Sequence, residues 1–196
     1  MRKQFVRWAL EQLWYGRYAC GHILAPLGIL YGFCALFRRA CYRTGLVAST
    51  RVGVPVIVVG NIAVGGTGKT PLTIWLAAYL KRSGFRPGVI CSGFGGNART
   101  WPQQVRADSD PSAVGDEAVL IAEQTGCPVA AGRDRVASAQ ALLTYQTCDV
   151  LVSDDGLQHY RLARDVEIVV IDGMRRHGTG WCFPAGPLRE PRIRMR

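Results

Sequence analysis

Eight consecutive residues, Ala63-Val-Gly-Gly-Thr-Gly-Lys-Thr70, are the part of this chain best suited to chemistry. Gly65, Gly66 and Gly68 let the backbone turn successive N–H groups toward a string of phosphates. Lys69 brings an ammonium group that reaches the β and γ phosphates, and Thr70 brings a hydroxyl for Mg²⁺. The spacing is that of a Walker A phosphate loop with Ala63 in place of its first glycine. Ala63, Val64, Gly65, Gly66, Thr67, Gly68, Lys69 and Thr70 are therefore expected to hold a nucleotide. The chain has no Asn-Lys-x-Asp guanine-reading sequence, which favours ATP over GTP. Val64 stands where the deviant loops of partition ATPases carry a lysine.

Carboxylates supply the second ingredient. Asp149-Val-Leu-Val-Ser-Asp-Asp155 has the look of a strand that ends in two acids. In a parallel sheet, chemistry gathers at the carboxyl ends of the strands. Asp154 and Asp155 are thus expected on the side of the phosphate loop, serving Mg²⁺ directly or through water. Neighbours on a strand point to opposite faces, so one of the two is expected to serve the metal and the other a loop hydrogen bond. His159, four residues on, either binds substrate or caps its turn. Gly115-Asp116-Glu117 opens a helix-like run. Its acids either complement the helix dipole, or Asp116 takes a proton from an acceptor hydroxyl. Spacing leaves both readings open.

The elements that must position these groups are legible on either side of them. Val54–Val59 is an apolar, β-branched run of the kind buried on both faces of a sheet. The stretch 72–84 has apolar residues at helical spacing and stops at Gly84, with Pro71 tolerated in its first turn. Residues 86–91, 127–131, 149–155 and 167–172 read as strands, and 133–145 as a helix. Strands alternating with helices predict an α/β fold: a P-loop NTPase-type, mainly parallel sheet flanked by helices.

Length and charge set the frame. The 196 residues carry a net charge of +10 with 48% hydrophobic residues, which suits one domain with additions and excludes wholesale disorder. Residues 1–53 hold eight basic side chains against Glu11, and 186–196 hold four against Glu190, while 54–185 are neutral. A nucleic-acid binder concentrates its charge on the folded domain. Basic ends beside apolar residues fit a membrane surface instead. Seven cysteines without a CxxC spacing argue against a disulfide framework or a zinc knuckle.

From Ala19 to Phe37 no residue is formally charged, and Arg17, Arg38, Arg39 and Arg43 flank the run. Upstream, Phe5, Trp8, Ala9 and Leu13 recur at helical spacing. A spanning helix, a helix lying in the interface and a signal peptide all compete here, beside a buried core hairpin. His22 and Pro26 weigh against spanning. The chain is thus divided into a membrane-associated helical segment, 1–50, and a P-loop domain, 51–196.

The motifs in order are GNIAVGGTGKTP, Gly93-Phe94-Gly95, GDEA at 115–118, GRDR at 132–135, SDDGLQH at 153–159 and PAGPLREP at 184–191. This set resembles the tetraacyldisaccharide 4'-kinase family of lipid A synthesis. The resemblance implies ATP-dependent phosphorylation of the 4' hydroxyl of a tetraacyldisaccharide 1-phosphate, giving lipid IVA at the cytoplasmic face of a Gram-negative inner membrane. It implies Asp116 as base, Lys69 and Thr70 as ATP and Mg²⁺ groups, Asp154 and Asp155 near the metal, and His159 and Arg189 at the lipid headgroup. Ser92 and Phe94 stand where the family usually has Arg and Tyr. Family members are also longer, and their C-terminal part includes a histidine that assists the base. The expectation is an incomplete chain with low kinase activity, or none, alone. The other readings are a membrane-associated P-loop ATPase acting as a switch or assembly factor, and a decayed fragment.

Overall fold

The computed structural model describes residues 12–15 and 19–195, which form two compact units. One comprises the described residues up to Val47, together with Asn61–Thr67 and Ile171 onward. The other comprises Ala48–Gly60 and Gly68–Val170.

In the first unit, residues 12–15 are helical, a 3₁₀ turn covers Ala19–Leu24, and helix α1 covers Ala25–Arg43. Phe5, Trp8, Ala9 and Arg17 lie outside the described residues. Pro26 sits in the first turn of α1, where its missing N–H removes no intrahelical bond, so it starts the helix rather than breaking it. The stretch His22–Arg43 is long and apolar enough to cross a membrane.

The buried face of α1 is narrow because it is made of glycine. A Cβ on Gly28 would stand 2.8 Å from the Cys182 carbonyl oxygen, and one on Gly32 would stand 3.2 Å from the Cys182 sulfur. Ile23, Leu27, Ile29, Leu30, Phe33 and Phe37 remain exposed. Only 11% of the most apolar stretch is buried among the described residues. The C-terminal segment folds by single bridges, with Cys182 beside Leu188 and Ala63 antiparallel to Leu188. Trp14 donates its indole N–H to the Pro184 carbonyl at 3.1 Å. Glu190 and Arg194 form a buried ion pair at 3.0 Å.

The second unit is a six-stranded sheet with flanking helices. Its strands are β1 (Val56–Gly60), β2 (Pro87–Cys91), β3 (Gln103–Val105), β4 (Val129–Ala131), β5 (Val150–Asp154) and β6 (Val166–Val169). The order across the sheet is β3-β4-β2-β5-β1-β6, parallel except for the β3–β4 pair. The helices are α2 (Lys69–Arg82), α3 (Pro111–Val114), α4 (Asp116–Thr125) and α5 (Arg135–Tyr145).

Alternation along the strands assigns the two faces. Val89 packs with Ala77 of α2 and Ile121 of α4, and Val152 packs with Leu76 of α2. On the other face a Cβ at Gly88 would meet Leu142 of α5 and Leu151 at about 2.9 Å, so α5 approaches closely there. Val58, Val59, Leu151 and Val152 are wholly buried, and each such side chain contributes about 1.5–3 kcal/mol. The expected α/β class is what forms. The carboxyl ends of β1, β2, β4 and β5 share one edge of the sheet.

Candidate phosphate-binding site

At that edge α2 begins. Gly68, in the left-handed conformation at φ 82°, precedes its first turn, and no side chain caps the turn. The N–H groups of a helix start are orphan donors at the positive end of the dipole, which makes them an anion site. Two α2 hydroxyls reach the end of β5. Thr70 Oγ1 donates to Asp154 Oδ2 at 3.0 Å, and Thr73 Oγ1 donates to Asp154 Oδ1 at 3.0 Å. Lys69 Nζ lies 3.7 Å from Asp155 Oδ1.

The two acids do not diverge to opposite faces as strand alternation predicts. The strand ends at Asp154, and Asp155 turns at φ 47°, a left-handed conformation that Asp tolerates better than most residues. Both carboxylates therefore meet the first turn of α2.

Asp154 is 3% exposed. Burial raises its carboxyl above the ordinary range; the Thr73 and Thr70 hydroxyls pull the other way, and the Asp155 charge adds to the rise. A carboxyl raised on folding favours the folded state below its unfolded pKa and loses that advantage as pH rises through the folded value. Holding Asp154 charged at neutral pH thus works against stability, as is common where a site is built for a cation.

Glu117, exposed like Asp116 on the first turn of α4, is also raised, by partial desolvation of its carboxyl first and then by the charge of Asp154, with Lys69 opposing. It belongs electrostatically to the same edge. The sequence does not single it out, since Asp116 and Glu117 occupy the same helix turn and spacing does not rank them. Asp116 is exposed at the first position of α4. The turn that carries both rests on the glycine loop at 93–95. Gly115 has φ 93° and ψ 140°, and a Cβ there would run into the Phe94 carbonyl oxygen. Ser92 Oγ accepts from the Phe94 amide at 3.1 Å, so Ser92 serves its own turn, while Phe94 is exposed.

The loop after Asp155 packs on β1: a Cβ at Gly60 would stand 2.6 Å from that of Leu157. The His159 amide donates to the Gly156 carbonyl at 3.0 Å and closes the turn. Arg164 clamps the same loop. It donates to the carbonyls of Leu157 at 2.9 Å, Leu162 at 3.0 Å and His159, and pairs with Glu167 at 3.2 Å.

The other half of the glycine loop belongs to the first unit. Asn61, fully buried, donates to Thr67 Oγ1 at 2.9 Å and braces the turn through Gly65, whose φ is 123°. The PAGPLREP segment pairs with the loop. The Val64 amide donates to the Pro187 carbonyl at 2.7 Å, and the Arg189 amide donates to the Ile62 carbonyl at 2.6 Å. Arg189 is thereby held beside Ile62, and Ala63 beside Leu188. Asn61 went unremarked in the sequence, because one buried amide in a loop has no period to reveal it.

Among the described residues no group of three His, Cys, Asp or Glu forms a ready metal cage. Mg²⁺ does not need one: it keeps several waters and takes one or two carboxylates beside phosphate oxygens. The hard oxygens of Thr70 and Asp154, 3.0 Å apart, fit that demand.

A family model described as tetraacyldisaccharide-1-P 4'-kinase matches residues 20–196. The chain belongs to the tetraacyldisaccharide 4'-kinase family. A tetraacyldisaccharide 4'-kinase of Nitrosococcus oceani is 54% identical over 183 residues, covering 93% of this chain and 54% of that protein. One of Alkalilimnicola ehrlichii is 59% identical over 174 residues, covering 89% and 52%. A crystal structure of LpxK from Aquifex aeolicus, an "apo" form in complex with ATP, matches with a TM-score of 0.78 at 30% identity, covering 89% of this chain and 56% of that one. The chain spans about half the length of the tetraacyldisaccharide 4'-kinases it matches.

Proposed function

We propose that this chain carries the nucleotide site of an ATP-dependent kinase that phosphorylates the 4' hydroxyl of tetraacyldisaccharide 1-phosphate to give lipid IVA. The observation that carries the reading is the junction of α2 with β5, where Lys69, Thr70, Asp154 and Asp155 meet beside an uncapped helix start. The ATP complex of the Aquifex aeolicus relative supports it.

The amides of the glycine loop and of the first turn of α2 bind the β and γ phosphates, and Lys69 draws charge from them as the transfer proceeds. Thr70 and Asp154 would hold Mg²⁺, and Asp155 orients Lys69. A Mg²⁺ ion held by these oxygens would supply positive charge to offset the phosphates during transfer. Asp116 accepts the proton of the 4' hydroxyl as that oxygen bonds to the γ phosphorus; the bond from phosphorus to the β–γ bridging oxygen breaks, and ADP leaves. Its exposure at the start of α4, next to a Glu117 coupled to Asp154, supports that role. His159 and Arg189 bind the headgroup.

The exposed apolar face of α1 and the basic residues Arg38, Arg39 and Arg43 suit the cytoplasmic face of an inner membrane, where such a lipid is reached. Residues 1–50 are assigned to membrane attachment and 51–196 to phosphoryl transfer, although Asn61–Thr67 and Ile171 onward group with α1 in one compact unit.

Transfer of label from γ-³²P-ATP to the lipid in detergent micelles tests the proposal. The expected result is Mg²⁺-dependent labelling of the lipid, slower than by the Nitrosococcus oceani relative, and lost in Asp116→Asn with ATP binding retained. Lipid-independent release of phosphate with no labelled lipid contradicts it and indicates an ATPase switch.

A further inference from the structure

Arg135 is placed where a residue serving stability alone would not be. Its side chain is 2% exposed. It is the first residue of α5, so its positive charge sits at the positive end of that helix dipole. Among the described residues no carboxylate lies within ion-pair distance of it. The nearby Asp134 is engaged elsewhere, capping the Val136 and Ala137 amides and pairing with Arg161 at 2.6 Å. The Cys91 thiol, pushed up to about 11 by burial, stays neutral and supplies no counter-charge. The Arg135 Nε is buried without a hydrogen-bond partner. A buried cation with an unfilled donor at the unfavourable end of a helix is destabilising, and an apolar side chain of similar size would avoid all three penalties.

The two bonds that Arg135 does make show its use. Nη1 donates to the Gly132 carbonyl at 2.6 Å, and Nη2 donates to the Asp154 carbonyl at 3.0 Å. The second carbonyl belongs to the peptide that joins Asp154 to Asp155, at the point where the chain turns to φ 47°. The charge acts on the same place, since the Asp155 and Asp154 carboxylates are within its electrostatic reach. With Glu117, the sheet edge carries three carboxylates against Lys69. Such an edge attracts Mg²⁺ but repels a polyphosphate that arrives with four negative charges.

We infer that Arg135 is a positioning residue for the carboxylate edge: its fork holds the Asp154–Asp155 turn, and its buried charge offsets the acids so that a nucleotide's phosphates are accepted beside them. The inference rests on the phosphate-site reading above and extends it to a residue that touches neither nucleotide nor metal.

The electrostatic role has a signature that a structural strut lacks. Removing the cation makes the edge more negative, which weakens binding of Mg²⁺-free nucleotide and increases what Mg²⁺ restores. Equilibrium binding of a fluorescent ATP analogue, in EDTA and in Mg²⁺, is compared for the parent, Arg135→Gln and Arg135→Lys. In Arg135→Gln, affinity in EDTA is expected to fall roughly tenfold and the gain from Mg²⁺ to grow severalfold, as a unit charge acting through a partly buried site would give. Arg135→Lys, which keeps the charge and loses the fork, falls between the two.

The inference is overturned if Arg135→Gln binds like the parent in both arms, or if both variants lose affinity in the same proportion with and without Mg²⁺. If circular dichroism shows Arg135→Gln unfolded, Arg135→Met, which also removes the charge while keeping an apolar stem of similar reach, decides: a loss in EDTA with a larger Mg²⁺ gain supports the inference, and unchanged or equal losses overturn it. A parent that binds in neither arm overturns the phosphate-site reading itself, and this inference with it.

Discussion

Replacing Lys69 by alanine is expected to weaken ATP binding by roughly 50-fold, the worth of a charge-assisted bond of about 2–3 kcal/mol in a shielded site. The Lys69 side chain is 12% exposed, and its ammonium lies 3.7 Å from Asp155. Its loss therefore acts twice: the phosphates lose a cation, and the Asp154–Asp155 pair loses the charge that opposed it. Fold stability changes little beside this, because Asp155 remains about one-third exposed and water takes over its solvation. Titration calorimetry of the parent and Lys69→Ala with Mg-ATP reads the difference. Equal affinities would mean that nucleotide, if bound, is held elsewhere.

The second large effect falls on stability, at Gly115. Its φ of 93° with ψ of 140° is glycine territory, and any Cβ there meets backbone, the Phe94 carbonyl oxygen and the Gly93 carbonyl carbon. Backbone cannot swing aside as a side-chain tip can. Strain of about 1–3 kcal/mol and a forced displacement of similar size together give about 3 kcal/mol or more for Gly115→Ala. That corresponds to a fall in melting temperature of roughly 8 °C for a chain of this length. Gly84 is the control: φ is 90°, but nothing lies within 4 Å of a Cβ there, so Gly84→Ala carries the conformational strain alone and costs about 1 kcal/mol. Differential scanning calorimetry separates them. The consequence for function is direct, because the turn displaced by Gly115→Ala carries Asp116 and Glu117.

What was legible in the chain follows from which interactions leave a pattern. β1, β2 and β5 are buried on both faces, and a continuous β-branched or apolar run is how that burial appears in sequence. The phosphate loop was legible because backbone conformation demands glycine at fixed offsets, and the structure has Gly65 and Gly68 at positive φ. The convergence of Thr70 with Asp154 followed from parallel topology, which places strand ends and helix starts at one edge.

Strand β3 was not legible: Gln103-Gln-Val joins the sheet edge by backbone pairing with β4, and backbone bonds leave no side-chain signature. The association of PAGPLREP with Ile62–Val64 was hidden for the same reason, since single bridges have no alternation to read. Asn61, Glu117 and Arg135 lie inside motifs the sequence displays, but their roles come from burial and long-range charge, which one-dimensional spacing does not encode.

Hydrogen–deuterium exchange of the whole chain, with and without Mg-ATP, tests the central claim most directly, because that claim concerns particular backbone amides. Slowed exchange is predicted at 65–70, with the largest protection at the start of α2, and Lys69→Ala is predicted to need roughly 50-fold more Mg-ATP to reach the same protection. Unchanged exchange at 65–70 under saturating Mg-ATP would contradict the account, as would protection confined to another place, such as the cavity of about 430 Å³ lined by Val54, Leu143 and Cys148.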